Sequence, residues 1–316
     1  LNQNNYVNAI EIKGLSRFFG KTAAVLNLNL EIPKGSLFGL IGPNGAGKTT
    51  TIRMLAGLLE PSEGEIFING EPAVMDWRNT SHKIGYMPDF FGVYEDMLVW
   101  EYLDFFGRCY DLQTDHRKRL VDELLELVDL SSKRDDYVET LSRGMRQRLC
   151  LAHTLVHDPQ ILLLDEPASG LDPRARIEMR ELLKELGAMG KTIILSSHIL
   201  HELAELCDSV GIIEKGTLVT SGNLSEIKQK ALQQRTLKIS LLDNLEAAQK
   251  YLESYPGVGE MFVNNHYLEV PFTGSDEDKA KLLKSMIANE IEVTSFSETT
   301  SDLEQVFLRL TKGEVA

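Results

Sequence analysis

Cysteine and tryptophan are scarce: three and two residues in a chain of 316. Cys109, Cys150 and Cys207 are far apart, odd in number and in no metal-ligand spacing. That excludes a disulfide framework or a thiolate metal cage and suits a reducing compartment, with the three expected as buried free thiols. Positive charge is short too. Lys+Arg number 33 against 47 Asp+Glu, a net charge of −14, and such a surface opposes the phosphate backbone of nucleic acid, which needs clustered Lys and Arg. No nucleic acid is expected as main partner. Nor is there a window near the roughly 18 uninterrupted apolar residues of a membrane span, and the opening "LNQNNYVNAI" has neither the charged nor the apolar region of a signal peptide. The expectation is a chain that does not cross a membrane unaided.

What is present is a globular pattern, 43% hydrophobic and long enough for two domains. Strands and helices alternate to about residue 225. "SLFGLIG" (36–42), "ILLLDE" (161–166) and "TIILSS" (192–197) are short apolar runs, as in parallel strands buried on both faces. Helical patterns over 48–59, 98–107, 116–129, 143–157, 173–189 and 199–207 separate them, which predicts an α/β sheet covered by helices. Polar "LSEIKQKALQQRT" (224–236) leads out of this domain. Beyond it the pattern reads strand 236–242, helix 243–254, strands 259–263 and 266–271, helix 276–289, strand 291–296 and helix 301–311. That order predicts a small ferredoxin-like α+β domain.

Three motifs carry chemistry. "GPNGAGKTT", Gly42 to Thr50, fits G-x-x-x-x-G-K-[ST] after an apolar strand and before a helix. Its residues Gly42, Pro43, Asn44, Gly45, Ala46, Gly47, Lys48, Thr49 and Thr50 are expected to cradle phosphate oxygens. Lys48 would reach the β- and γ-phosphates, and Thr49 would ligate Mg²⁺. "ILLLDEP" delivers Asp165 and Glu166 to a strand's C-terminal end, where open α/β sheets bind ligands. Asp165 is the expected Mg²⁺ holder, and Glu166 the acceptor of a proton from attacking water. "TIILSSH" places His198 at a comparable strand end, in position to contact a γ-phosphate.

The stretch "ETLSRGMRQRLCLAHTL" (139–155) poses a problem. A helix N-terminus carries partial positive charge and favours acids in its first turn, yet behind the N-cap candidate Ser142 come Arg143, Arg146 and Arg148.

These motifs, in this order, resemble the nucleotide-binding cassette of ABC transporters over residues 9 to about 225. The resemblance implies a P-loop ABC cassette over 1–225, with a mixed sheet core, an antiparallel β lobe and a helical subdomain at about 90–157. An accessory α+β domain follows over 226–316. In "RFFG", Phe19 stands where the family stacks an aromatic on adenine, with Phe18 as the alternate and plain core packing as the ordinary reading. "LSRGM" (141–145) falls in the place of the signature LSGGQ, and "SGLD" (169–172) resembles the loop that contacts the opposite subunit through Asp172.

In this family two cassettes face head to tail. The signature helix of one, through Ser142 and Gly144, meets the γ-phosphate held by the other. The resemblance thus supplies the anion for the positive helix end from a second copy, or a homologous cassette. Arg143 stands at a usual Gly and either touches nucleotide or extends into solvent; Arg146 and Arg148 read as helix-surface or intersubunit groups. Met145 and Asp89 each replace a usual Gln, and Asp89 is expected near Mg²⁺. Nine of the chain's 23 aromatics fall in 86–110. Phe90, Phe91 and Tyr94 are the candidates for the socket that receives a membrane permease, while Trp100, Tyr102, Phe105 and Phe106 read as core.

The implied function is an ATP-hydrolysing, Mg²⁺-dependent subunit of an exporter of the type-two group, whose permease is a separate polypeptide. Its place is the cytoplasmic face of the cell membrane, peripheral through the permease. A soluble ABC ATPase acting on ribosomes or DNA would carry tandem cassettes or long inserted coiled coils, and neither is found in these 316 residues. A regulatory module that hydrolyses nothing is opposed by Glu166 and His198.

Overall fold

A computed structural model describes residues 8–73, 81–90, 92, 94, 96–224, 235–259, 261–264 and 267–299. They divide between two compact units, one ending at Leu224 and the other beginning at Ser225.

The first unit begins β1 (Asn8–Phe19), β2 (Thr22–Pro33), β3 (Leu37–Ile41), α1 (Lys48–Leu55), β4 (Glu63–Ile68), β5 (Glu71–Pro72) and β6 (Ile84–Met87). Helices α2 (Val99–Cys109), α3 (Thr114–Leu127) and α4 (Arg143–Leu155) follow. It ends with β7 (Ile161–Leu164), α5 (Pro173–Ala188), β8 (Thr192–Ser197), α6 (Leu200–Ala204), β9 (Ser209–Glu214) and β10 (Thr217–Asn223). One sheet has the order β10-β9-β3-β8-β7-β6 and is parallel except at β10. Every residue of β3, β7 and β8 is buried, as a parallel sheet covered on both faces requires. A second, antiparallel sheet, β2-β1-β4-β5, shares one apolar core with β3 and α1, which includes Leu15 and Val25, Phe38 and Leu40, and Ile52.

Helices α2 to α4 pack through rings and a buried charge. Tyr102 is buried, and the His153 ring stacks on Phe106 at 3.5 Å. Asp104 accepts from Arg117 Nε and Arg108 Nε, both at 2.7 Å. Burial opposes ionisation of Asp104, but the two guanidinium groups prevail and hold its carboxyl below the usual range. Phe105, expected in the core, is 38% exposed.

Two further expectations need correction. Cys150 and Cys207 are buried, but Cys109 is exposed because it ends α2 at the turn into Asp111. The helical pattern 199–207 forms helix only over Leu200–Ala204, since the amides of both Leu206 and Cys207 turn back to Leu203 O. That turn brings Asp208 to β3, where Asp208 N donates to Leu37 O at 2.9 Å.

The second unit contains β11 (Arg235–Leu241), α7 (Leu245–Glu253), β12 (Phe262–Asn264), β13 (Tyr267–Phe272), α8 (Asp276–Ala288) and β14 (Val293–Thr299). Its order β12-β13-β11-β14, antiparallel throughout, is the ferredoxin-like arrangement. Leu237, Ile239, Leu268 and Val270 pack against Ala248, Leu252, Leu282 and Met286. The acidic run after Ser275 starts a helix: Ser275 Oγ accepts from Asp278 N, and Asp278 reaches back to Ser275 N. The helix expected over 301–311 lies outside the described residues.

Burial pulls the His153 imidazole down to about 4, with a smaller push from His157. A histidine depressed in the folded state favours folding fully only above its unfolded value, near 6.5. Stability should therefore fall as pH drops from about 6.5 through about 4. His153→Phe, compared in urea titrations at each pH, is expected to flatten that part of the curve.

Candidate active site

The glycines of the phosphate loop answer to space. A Cβ on Gly47, where φ is +107°, would stand 2.5 Å from Ala24 O of β2; one on Gly42 would collide with Ile213 O of β9. The loop is pressed between two strands and tied by Gly216 N, which donates to Ala46 O at 2.9 Å. Gly47 then caps α1, so Lys48, Thr49 and Thr50 form the helix's first turn, the preferred seat of an anion.

Lys48 is 6% exposed. Its Nζ donates to Gly42 O at 2.7 Å and Pro43 O at 3.2 Å and lies 3.5 Å from Glu166 Oε1. Burial pulls the ammonium below the ordinary lysine value, against the opposing pull of Glu166.

Parallel register brings the other acids to the same edge. Ile41 pairs with Ser197, Leu164 with Leu195 and Met87 with Leu164, so β3, β8, β7 and β6 end together. Asp165 is 1% exposed; its Oδ1 accepts from Ser196 Oγ at 2.6 Å and Thr49 Oγ1 at 3.2 Å. Its Oδ2 is buried with no hydrogen-bond partner. A bare carboxylate oxygen beside a threonine hydroxyl and the phosphate loop fits a hard divalent cation with oxygen ligands. Glu166 takes φ +50°, Ser196 Oγ accepts its N–H at 2.9 Å, and Glu166 Oε2 meets His198 Nδ1 at 3.0 Å. The arrangement offers one buried cation, one carboxylate base and one imidazole around a single opening.

That opening is a cleft of roughly 330 Å³ lined by Ala24, Asn44 to Thr50, Asp89, Glu166, Ser169 and His198. Asp89 is a wall of the cleft, but among the described residues no three His, Cys, Asp or Glu side chains gather as a metal-binding group. Phe19 does not line it: its ring is 50% exposed at the end of β1, with the Arg17 guanidinium 4.9 Å above. Ser142 and Gly144 do not line it either. Ser142 caps α4, accepting from Met145 N at 3.3 Å.

Of the three arginines behind Ser142, one is placed otherwise than expected. Arg143 does not line the cleft; it is exposed, in keeping with the solvent alternative, and donates to Ser169 O at 3.0 Å. Arg146 donates to Leu141 O and Glu139 O. Arg148 is not a surface group: it is 8% exposed and donates to Val128 O at 2.9 Å. Ser196, Gln147 and Glu202 carry no motif, and a strand-end "SSH" was the only signal for Ser196.

The phosphate loop on a doubly covered parallel sheet, with its acids at the next strand ends, defines a P-loop nucleoside triphosphatase. A family model described as "ABC transporter" matches residues 25–169, and one described as "ATP-binding protein DrrA1-3-like, C-terminal domain" matches 222–311. The linearmycin resistance ATP-binding protein LnrL of Bacillus subtilis is 31% identical over 304 residues, 96% of this chain and 98% of that protein. The Nod factor export ATP-binding protein I of Burkholderia lata is 42% identical over 68% of this chain and 71% of its own. Among solved structures, cbiO1 of Clostridium perfringens, described as part of the ABC transporter complex cbiONQ, matches with a TM-score of 0.64 at 28% identity. That match covers 71% of this chain and 91% of the other. The chain belongs to the ABC transporter ATP-binding subunits, and its activity is ATP hydrolysis.

Ser196 links both acids, as donor to Asp165 and acceptor for the Glu166 amide. Losing a hydrogen bond to a charged group costs about 1.5–3 kcal/mol, roughly tenfold or more in rate if felt in the transition state. Ser196→Ala is expected to lower kcat by about that factor in a steady-state assay, with KM for ATP near the native value.

Proposed function

We propose that this subunit drives export through a separate membrane permease, working as two copies facing head to tail with two ATP sites between them. The carrying observation is that α4 has a capped, positive N-terminus with no acid in its first turn, and that its Ser142 and Gly144 stay out of the chain's own phosphate cleft. An anion held by another copy satisfies that end. In this reading Lys48, Asp165, Glu166 and His198 serve one site, and Ser142 and Gly144 complete the opposite one. Thr49 and Asp165 hold Mg²⁺, which when bound neutralises phosphate charge. Glu166 accepts the proton of the attacking water, and His198 contacts the γ-phosphate.

Export is supported by the relatives, one a Nod factor export protein and one a linearmycin resistance protein. Among the described residues no helix is long and apolar enough to cross a membrane, so the membrane path is assigned to a partner. The permease socket is placed at Phe90 and Tyr94, 90% and 54% exposed just beyond Asp89; Phe91 lies outside the described residues. The subunit then sits on the cytoplasmic face of the membrane.

ATPase activity measured against protein concentration, with sizing in Mg-ATP, tests the pairing. Activity should rise cooperatively, and Glu166→Gln should abolish it while accumulating an ATP-bound dimer. Non-cooperative hydrolysis by a monomer, indifferent to Glu166, would sink the reading.

Asp89 should couple Mg-ATP binding to movement of the α2–α4 region. Both Asp89→Asn and Asp89→Ala are expected to lower permease-stimulated ATPase, by roughly tenfold on the scale of one charged contact. Native stimulation in both variants would refute that role.

A further inference from the structure

Glu166 is followed by a turn whose carbonyls are held in an alternating way. The Glu166 and Ala168 carbonyls accept from backbone amides, Ser169 N at 3.0 Å and Leu171 N at 3.3 Å. Those of Pro167, Ser169 and Leu171 accept from three side chains. Gln147 Nε2 donates to Pro167 O, Arg143 Nη2 to Ser169 O at 3.0 Å, and Arg176 Nη2 to Leu171 O at 3.3 Å.

Two of these donors belong to α4. Arg143 and Gln147 are four residues apart, so they share a helix face, and Gln147 is 3% exposed with its amide committed to the turn. The Arg143 guanidinium lies over Gly170, where a Cβ would stand 2.5 Å from Cζ. Between the two donors a Cβ on Gly144 would come 3.0 Å from Ala175 Cβ, so the first turn of α4 abuts the first turn of α5. The third donor looks the other way. Arg176 also pairs with Glu202 of α6, Nε to Oε1 at 2.9 Å, four residues beyond His198. Ser169, at the centre, is itself a wall of the phosphate cleft.

We propose that Gln147, Arg143 and Arg176 are positioning residues that lock the Pro167–Leu171 turn, so that the start of α4, the Glu166 carboxylate and the His198 segment move as one body. Hydrogen bonds from a charged donor are roughly twice as strong as neutral ones, and a turn held at alternate carbonyls has little freedom to shift one residue without the next. A displacement of the α4 N-terminus is carried through Arg143 to Ser169, and through Arg176 and Glu202 to His198. The lock is built from contacts within one subunit, so it holds whether or not a second copy faces the cleft.

Amide hydrogen–deuterium exchange on the full chain, read by mass spectrometry without nucleotide, tests this. Arg143→Ala and Arg176→Ala are each expected to speed exchange about tenfold in 166–172 and in both 142–147 and 197–203, the loss of one strong hydrogen bond. The phosphate loop, 42–49, should keep its native protection. Arg143→Lys, which keeps one charged donor, should restore most of it. In steady-state hydrolysis both alanine variants should lower kcat at unchanged KM for ATP. The double variant should be no slower than the slower single one, since both release the same turn. Faster exchange confined to 166–172 would overturn the proposal, as would native exchange in all three segments. A raised KM at native kcat would make Arg143 a nucleotide contact, and losses that multiply would make the two arginines independent; either result also overturns it.

Discussion

The site depends on one carboxylate kept almost wholly out of water. Asp165 stands at the end of β7 with one oxygen held by Ser196 and Thr49 and the other buried without a donor. Burying an ionised carboxylate is costly unless it is paired or coordinates a metal, and among the described residues the buried cation beside the acids is Lys48, which Glu166 engages. The surroundings follow from that demand. Ser196 is wholly buried so that its hydroxyl can serve Asp165 and the Glu166 amide together. Thr49 must enter the first turn of α1, which fixes the path of the phosphate loop between β2 and β9.

A second constraint concerns positive charge where a helix begins. The arginines behind Ser142 do not confront the α4 dipole with bare charge. Each guanidinium bends to carbonyl oxygens, Arg143 to Ser169, Arg146 to Leu141 and Glu139, and Arg148 to Val128. Arg143 thereby joins α4 to the turn after β7, and in the proposed pairing the positive end of α4 meets an anion held by a second copy.

Much of this was legible in the sequence, for local reasons. A glycine-rich loop between an apolar strand and a helix has few readings, and fully apolar runs of four to six residues mark buried parallel strands. The βαββαβ order of the second unit followed from the alternation of patterns, and the antiparallel sheet agrees with it. Other positions were not legible. Arg148 looks like a solvated residue by type, yet the carbonyl that buries it comes from Val128, twenty residues away. Phe105 and Phe106 are adjacent and alike, but only Phe106 meets His153 face to face. Gln147 carries no motif, and its role exists only because Pro167 lies across from it.

The sequence by itself determined the chemistry on offer: a phosphate loop, two acids and a histidine at strand ends, and a serine-capped helix with arginines in its first turn. These are local matters of backbone freedom, strand burial and side-chain type. Only the tertiary structure decided which of them meet. Strand order β3-β8-β7-β6 sets four distant segments side by side at one edge, and the packing of α4 on α5 brings Arg143 to Ser169 O of the turn after β7. Such choices rest on long-range registry, which is fixed by how whole elements bury their faces and is written in no single stretch of residues.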